Sequence, residues 1–465
     1  MITSLSAVQL RKTYRQRELS PVEAVSAYLD RIAQLNPRLN AFVELCSDAG
    51  EQAKRAEAAM MANSELPLLG VPLSIKSCID VAGLRCEAGS RLRDGYVAAS
   101  DAVLVQRLRA AGAIILGNTN TPEFLMAYHT ENDIYGRTNN PWDLARTPGG
   151  SSGGESAAIA AGLSAGGIGS DGGGSVRVPA HFCGICGLKP TPGRIASTGH
   201  YPPCEGPFTL IGVVGPMART IEDLQLLLNV IAGPDDGDPV SAAVPLHWPD
   251  AAETKHLRIG YYDNDGYSPP TPETRAAVRA AADCLRGAGF AVEPFRPTVL
   301  EQARKLWSVL FVEGCALLIA PEAQKRANEV TPNLREFLAV AARRPALTGE
   351  RLLNTLMERD RLRAQLLREM QQFPILLAPV CSIPAATHQD AGWGAAHPAD
   401  YLKTMSYCQH YNLLGNPAAV LPVGHSPEGL PIGVQVIARH WRDEEALAVA
   451  AILDEQFGWR EPPLS

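Results

Sequence analysis

The chain has 465 residues, 46% of them hydrophobic, with a formal net charge of −7, so a large core is available and length alone would allow two or three average domains. An acidic balance without a basic cluster argues against a nucleic-acid partner, and ten irregularly spaced cysteines read as reduced thiols. Met1 to Ser6 lacks the basic and apolar regions of a secretory leader, and no run of about 18 apolar residues points to a membrane span; the expectation is a cytoplasmic protein with no membrane partner. After Ser20-Pro21, Val22, Val25, Tyr28, Leu29 and Ile32 recur at helical spacing and predict a helix over residues 21–35. An alanine-rich helix over 51–61 follows, then a strand from Val71 to Ile75. A helix from Ala102 to Ala111 feeds a strand from Ala113 to Leu116, and small residues from Glu155 to Leu163 suit a closely packed helix. Gly184 to Leu188 reads as a strand, and residues 233–256, rich in proline and aspartate, are the one candidate linker. Beyond it come a strand from Leu257 to Tyr261, a helix capped by Thr271-Pro272, a strand from Ala291 to Glu293, and long helices between 299 and 372. Strands from Ile375 to Ala378, Ala418 to Val423 and Gly433 to Ile437 precede a final helix from Glu444. Strands on both sides of the linker fit one mixed sheet in one α/β domain better than two domains.

Two serine-bearing glycine loops stand in the middle of the chain. The first is Pro148-Gly149-Gly150-Ser151-Ser152-Gly153-Gly154, and the second runs from Gly169 to Arg177 through Gly172, Gly173, Gly174 and Ser175. Three glycines before a serine can take φ > 0 and converge their amides on one point, as an oxyanion hole requires. A flexible linker would be polar throughout, whereas apolar runs flank both loops. A phosphate-cradling loop would close on Gly-Lys-Ser/Thr, and neither does. Lys76 follows the alternating segment Val71-Pro72-Leu73-Ser74-Ile75 and precedes Ile79 and Val81. A lysine between such segments is expected to be partly buried, and burial lowers its pKa toward that of a base. A nucleophile, a relay and a base are the inventory for acyl transfer.

The stretch from Pro148 to Thr191, PGGSSGGESAAIAAGLSAGGIGSDGGGSVRVPAHFCGICGLKPT, resembles the signature of the amidase signature family. The segments GVPLSIK, ILGNTNTPEF and TENDIYGRTNNPWDLARTPGG are similar to family elements, as is NLLGNPAAVLPVG…GLPIGVQVIA from Asn412 to Ala438. Within the family, the PGGSSGGE and HFCGICGLKPT wording is similar to the fatty acid amide hydrolase branch. The resemblance implies one α/β/α domain over 1–465 with a large mixed, mostly parallel sheet. It divides into an N-terminal helical segment over about 1–65, a signature core over about 66–232, and the second half over about 257–465. It also implies that Ser175 is the nucleophile, that Ser151 is a bridging serine after a cis peptide, and that Lys76 is the base. The amides of Gly172, Gly173, Gly174 and Ser175 would form the oxyanion hole, with Ser152, Asp171 and Arg177 in support. No cofactor or metal is implied. Leu125, Met126, Tyr128 and His129 are implied near the substrate, and a homodimer is one expected assembly. Two positions depart from the family: Gly172, often threonine or isoleucine in relatives, and Ser77, often aspartate in bacterial ones.

A serine hydroxyl attacks only when its proton has a destination. Neutral Lys76 would take the proton of Ser151, and Ser151 that of Ser175. Ser151 would then protonate the departing amine, and water would release the acyl group by the same relay, a serine–histidine–aspartate logic with other parts. No histidine is needed: His181 reads as a packed residue, and His129 as a candidate to face substrate. Cys183-Gly184-Ile185-Cys186 has no second pair to complete a metal site and reads as core cysteines in a buried strand. The expected activity is hydrolysis of small-molecule amides to a carboxylate and ammonia or an amine. Two alternatives stand beside it: the glutaminase subunit of a tRNA-dependent amidotransferase, which would need a basic pocket for glutamine's carboxylate, and a non-catalytic binding protein, which would have lost Lys76, Ser151 or Ser175. Substrate choice is expected to lie in residues 124–130, 195–210 and 300–360, with Leu306, Trp307 and Phe311 as candidates for an apolar wall.

Overall fold

Pro72–Lys76 is a strand in which every residue is buried, as a central strand covered on both faces must be. The computed structural model describes residues 1–392 and 398–464, and among them this strand is β2 of thirteen. The others are β1 (Phe42–Leu45), β3 (Ile114–Thr119), the small ribbon β4 (Glu131–Asn132) and β5 (Gly136–Arg137), β6 (Gly166–Asp171), β7 (Cys186–Lys189), β8 (Val213–Ala218), β9 (Ile259–Tyr261), β10 (Val292–Pro294), β11 (Ile375–Pro379), β12 (Ala418–His425) and β13 (Pro431–Ala438). Eleven of them make one sheet in the order β1-β3-β2-β6-β8-β7-β12-β13-β11-β9-β10. The first half of the chain supplies one side of this sheet and the second half the other. The halves join where β7 pairs antiparallel with β12, Lys189 opposite Ala418. One continuous sheet therefore replaces a two-domain arrangement, as the strand pattern implied.

The sheet is mixed, but the expectation of mostly parallel pairing is corrected. Among the described residues six of its ten pairings are antiparallel and four parallel. The reason is partly local: β12 and β13 are linked by a short turn, which can only return the chain antiparallel. Helices cover the strands, with Asp443–Phe457 packed on β12 and β13 and Gly153–Ala160 on β2 and β6. The predicted helix over 21–35 extends over Pro21–Leu39, with a Ser20–Glu23 capping box at one end. Pro37 would normally stop it earlier. Asn40 instead closes the last turn in the left-handed conformation, donating its amide to Asn36 O. Residues 233–256 contain one short helix, Ala251–Lys255. Asp235 and Asp238 accept hydrogen bonds from Thr198 and Ser197, so this segment lies against the signature core.

The helices after residue 299 differ from the sequence expectation in one respect. Leu300–Ser308 runs through a π turn, Val309–Glu313, into Gly314–Lys325. This stretch, Leu300–Lys325, is long and apolar enough to cross a membrane, and half of its most apolar window is buried. No run of about 18 apolar residues is expected from the sequence, and Glu313 interrupts this one. Glu313 is itself buried and paired with Arg351, Nη2 to Oε1 at 2.9 Å, which lets the helix pack as core.

Candidate active site

The two glycine loops meet over the ends of β2 and β6. Gly169–Asp171, the start of the second loop in the sequence, is the end of the strand Gly166–Asp171. Small residues make that possible: a Cβ on Gly167 would stand 1.8 Å from Glu155 Oε1 and 2.4 Å from Ser74 O. The bare strand thus lets the Gly153–Ala160 helix place Glu155 directly under the sheet. Glu155 is fully buried and accepts hydrogen bonds from Ser74 and from Thr119 Oγ1, the latter at 2.7 Å. Burial pushes its carboxyl up to about 8, against the pull of those donors and of Lys76.

Lys76, the last residue of β2, is fully buried. Its Nζ donates to Ser151 Oγ at 2.7 Å and to Ser170 Oγ at 3.1 Å. Burial lowers its pKa to about 8, opposed by Cys78, Asp171 and Glu155. Ser151 follows a cis peptide after Gly150, and its carbonyl accepts from Thr121 Oγ1 at 2.9 Å. Ser152 accepts from the Ser170 amide and returns its hydroxyl to the Ser170 carbonyl, at 3.4 and 3.3 Å. Its own amide donates to Ser175 O at 3.2 Å, tying one loop to the other. Ser151 and Ser175 line the same cavity. Among the described residues the Lys76–Ser151 hydrogen bond is formed and none joins the two serine hydroxyls.

Asp171 organises the turn that carries Ser175. It accepts from the Gly174 amide at 2.7 Å, the Val176 amide at 3.1 Å and Arg177 Nε at 3.0 Å. Burial alone would raise its carboxyl, but the Arg177 charge and hydrogen bonds outweigh that and hold it well below the usual carboxylate range. Arg177 also donates to Gln435 Oε1 and Cys408 O, both at 3.1 Å, and to Asn412. Both partners of this ion pair are shielded from solvent. Removing one strands the other, at a cost of about 3–5 kcal/mol. Asp171→Ala is therefore expected to lose about that much stability in urea denaturation; a loss below about 1 kcal/mol would show Arg177 satisfied by its other acceptors.

The set of amides implied as oxyanion donors needs one correction. Four amides are implied by the sequence, but that of Gly174 is taken by Asp171. The amides of Gly172, Gly173 and Ser175 have no acceptor among the described residues. The carbonyls of Gly172 and Gly173 are drawn the other way, to Trp307 Nε1 and the Tyr128 hydroxyl, each at 2.8 Å. Gly174 sits at φ +125°, where its Cβ would meet Cys408 Cβ at 2.8 Å. Gly172 also has an account here: Phe311 Cε2 lies 3.0 Å from where its Cβ would stand, so a larger residue would crowd that ring.

An amidase family model matches residues 23–447. The chain belongs to the amidase signature family. Across this family it is 34% identical over 471 residues to an acylamidase of Rhodococcus erythropolis, covering 98% of this chain and 96% of that one. It is also 34% identical to a glutamyl-tRNA(Gln) amidotransferase subunit of Roseiflexus castenholzii, over 98% and 96% of the two chains. The solved structure of 6-aminohexanoate cyclic dimer hydrolase complexed with substrate matches with a TM-score of 0.86 at 30% identity, covering 99% of each chain.

Around this amidase-family core, two cavities reach Ser175. Leu125, Met126 and Phe311 line both. Tyr128 and Trp307 line the second, and Trp307 stacks on Phe311 with ring centroids 4.8 Å apart. Residues 200–213 enter the first through His200, Pro202, Pro203, Cys204, Phe208, Ile211 and Val213. His129 is the exception: it is half-buried, its Nδ1 has no partner among the described residues, its backbone abuts Gly150, and it lines neither cavity. Leu306 likewise faces away, being buried in the core and absent from both linings. His181 is packed as expected, accepting from the Gly433 amide at 2.6 Å and facing Ile383 O at 3.0 Å, and burial lowers it to about 4. Cys183 and Cys186 are buried free thiols, though Cys183 ends the Arg177–Cys183 helix and only Cys186 enters a strand.

Several contributors escape a reading of the sequence. Ser170 and Glu155 flank Lys76 without any motif of their own, although both lie inside the quoted signature. Asn412 and Gln435, which hold Asp171 and Arg177, sit in the two C-terminal segments whose wording resembles the family. Cys78, two residues past the lysine, has its Sγ 3.5 Å from His200 Nε2 and 3.8 Å from Ser170 Oγ, partners that only the fold brings there.

Proposed function

We propose that the protein is an amide hydrolase that forms an acyl-enzyme on Ser175, with Ser151 as proton relay and Lys76 as base. The observation that carries this reading is the bond from the buried, pKa-lowered Lys76 to Ser151 Oγ at 2.7 Å. Ser175 would attack the carbonyl, and the free amides of Gly172, Gly173 and Ser175 would receive the developing oxyanion. The carbon–nitrogen bond then breaks as Ser151 passes a proton to the amine, and water reverses the sequence to give the carboxylate. Relatives named for amide hydrolysis over nearly the full chain support the same reaction class. A panel of primary amides, anilides and acyl-amides tests it by release of ammonia or amine; no turnover together with no labelling by a fluorophosphonate would end it.

The relay makes its own prediction. An amine leaves only when protonated, whereas an alkoxide departs with less help. Ser151→Ala is expected to slow amides by about a hundredfold or more and matched esters by clearly less. Equal losses on an amide and its ester would remove Ser151 as proton donor. A second reading, a glutaminase component of an amidotransferase, is favoured by the 34% identity to the Roseiflexus castenholzii protein; it predicts ammonia from glutamine only when partner proteins are added.

A further inference from the structure

Ser175 stands where two unlike cavities meet. The smaller, about 100 Å³, is walled by apolar groups such as Met126, Phe208, Ile211 and Ile319. The larger, about 300 Å³, leads from Gly173 and Ser175 to four cations, Arg304, Arg343, Arg344 and Lys403, against one carboxylate, Glu336. Two of the cations are already engaged. Arg343 lies 3.8 Å from Glu336, and Arg344 lies 3.8 Å from Glu313 and donates to Ser308. The other two are not: among the described residues neither Arg304 nor Lys403 belongs to an ion pair. Glu301, one turn before Arg304, is held by Lys305 at 2.7 Å.

Both free cations converge on Tyr267. Arg304 Cζ stands 3.7 Å from its ring centroid and Lys403 Nζ 4.9 Å. Arg304 Nε is buried without an acceptor. An aromatic face offsets part of the desolvation of a cation but supplies no counter-charge. Two partly buried cations sharing one ring repel each other until an anion arrives. A guanidinium fork beside an ammonium offers donors to both oxygens of a carboxylate.

We propose that the arm ending at Arg304 and Lys403 is a carboxylate subsite, so that the substrates are amides joining an apolar half to a half that ends in a carboxylate. This rests on the amide-hydrolase reading above. The carboxylate can lie on the amine or on the acyl side of the scissile bond, and two matched pairs separate these. The first sets N-decanoyl-β-alanine against N-decanoyl-isopentylamine. The second sets glutaric acid monoanilide against its isopropyl-ended analogue.

In one of the pairs the carboxylate member is expected to win by at least about tenfold in kcat/KM, mainly through KM. Arg304→Gln and Lys403→Gln should each shrink that ratio toward one. A merely structural role would lower both members together and leave the ratio intact. The same carboxylates should shield Ser175 from a fluorophosphonate better than their neutral partners, so the subsite is tested even where turnover is slow. Ratios within about twofold in both pairs, or a preference untouched in both variants, overturn the subsite while leaving the hydrolase reading standing. Absence of both labelling and turnover overturns that reading and the subsite with it.

Discussion

Ser175→Ala is expected to leave a folded protein that turns over amides about four to six orders of magnitude more slowly than the native enzyme. The loss is that large because the hydroxyl is the atom that becomes acylated; oxyanion amides and substrate binding survive to give the residual rate. The fold is spared because the Ser175 side chain makes no hydrogen bond among the described residues, while the turn around it is held by Asp171 and Arg177. Intact-mass measurement after fluorophosphonate treatment should find one adduct on the native chain and none on the variant. An adduct mapped to Ser151 would exchange the roles of the two serines.

For Lys76 the expected result is an alkaline limb that depends on one side chain. The working form is neutral, and burial brings its pKa to about 8. Below that value the lysine holds a proton and cannot accept one; above it the base is free. kcat/KM should therefore climb from pH 6.5, pass half its plateau at about 8 and level off about one unit higher. Lys76→Ala should cost about two to four orders of magnitude and flatten the limb. Lys76→Arg should not restore it, because a guanidinium stays protonated. Glu155 titrates in the same window, pushed up to about 8 by burial. Its charge raises the lysine, so Glu155→Gln should keep the limb and move it toward lower pH. An arginine variant with near-native turnover would sink the lysine as base.

The proposed catalytic inventory is legible in the sequence because it is local. The two serines, the lysine and the glycine amides lie in short segments whose composition admits few other uses, and the structure brings Lys76 within 2.7 Å of Ser151. What escapes depends on distant partners or on local geometry without a compositional mark. Gly174 reads as an oxyanion donor because nothing in Gly172-Gly173-Gly174 says which amide Asp171 will claim. The neighbourhood of His129 in the chain puts it near substrate, yet it lines neither cavity. Of the three candidates for an apolar wall, Phe311 and Trp307 line a cavity and Leu306 does not; the π turn that carries Phe311 re-aims its side chain in a way helical spacing does not foretell. Strand existence is likewise clearer than strand direction: buried apolar runs read alike whether their neighbours run with them or against them.

The brace around Arg177 joins distant parts of the chain, from Asp171 to Asn412 and Gln435. A nascent chain that has already emerged past Lys76, Ser151 and Ser175 therefore still lacks the groups that fix the serine's turn. Cleaved products that keep the signature but lose β12 and β13 would carry Lys76, Ser151 and Ser175 without the Gln435 acceptor that braces Arg177.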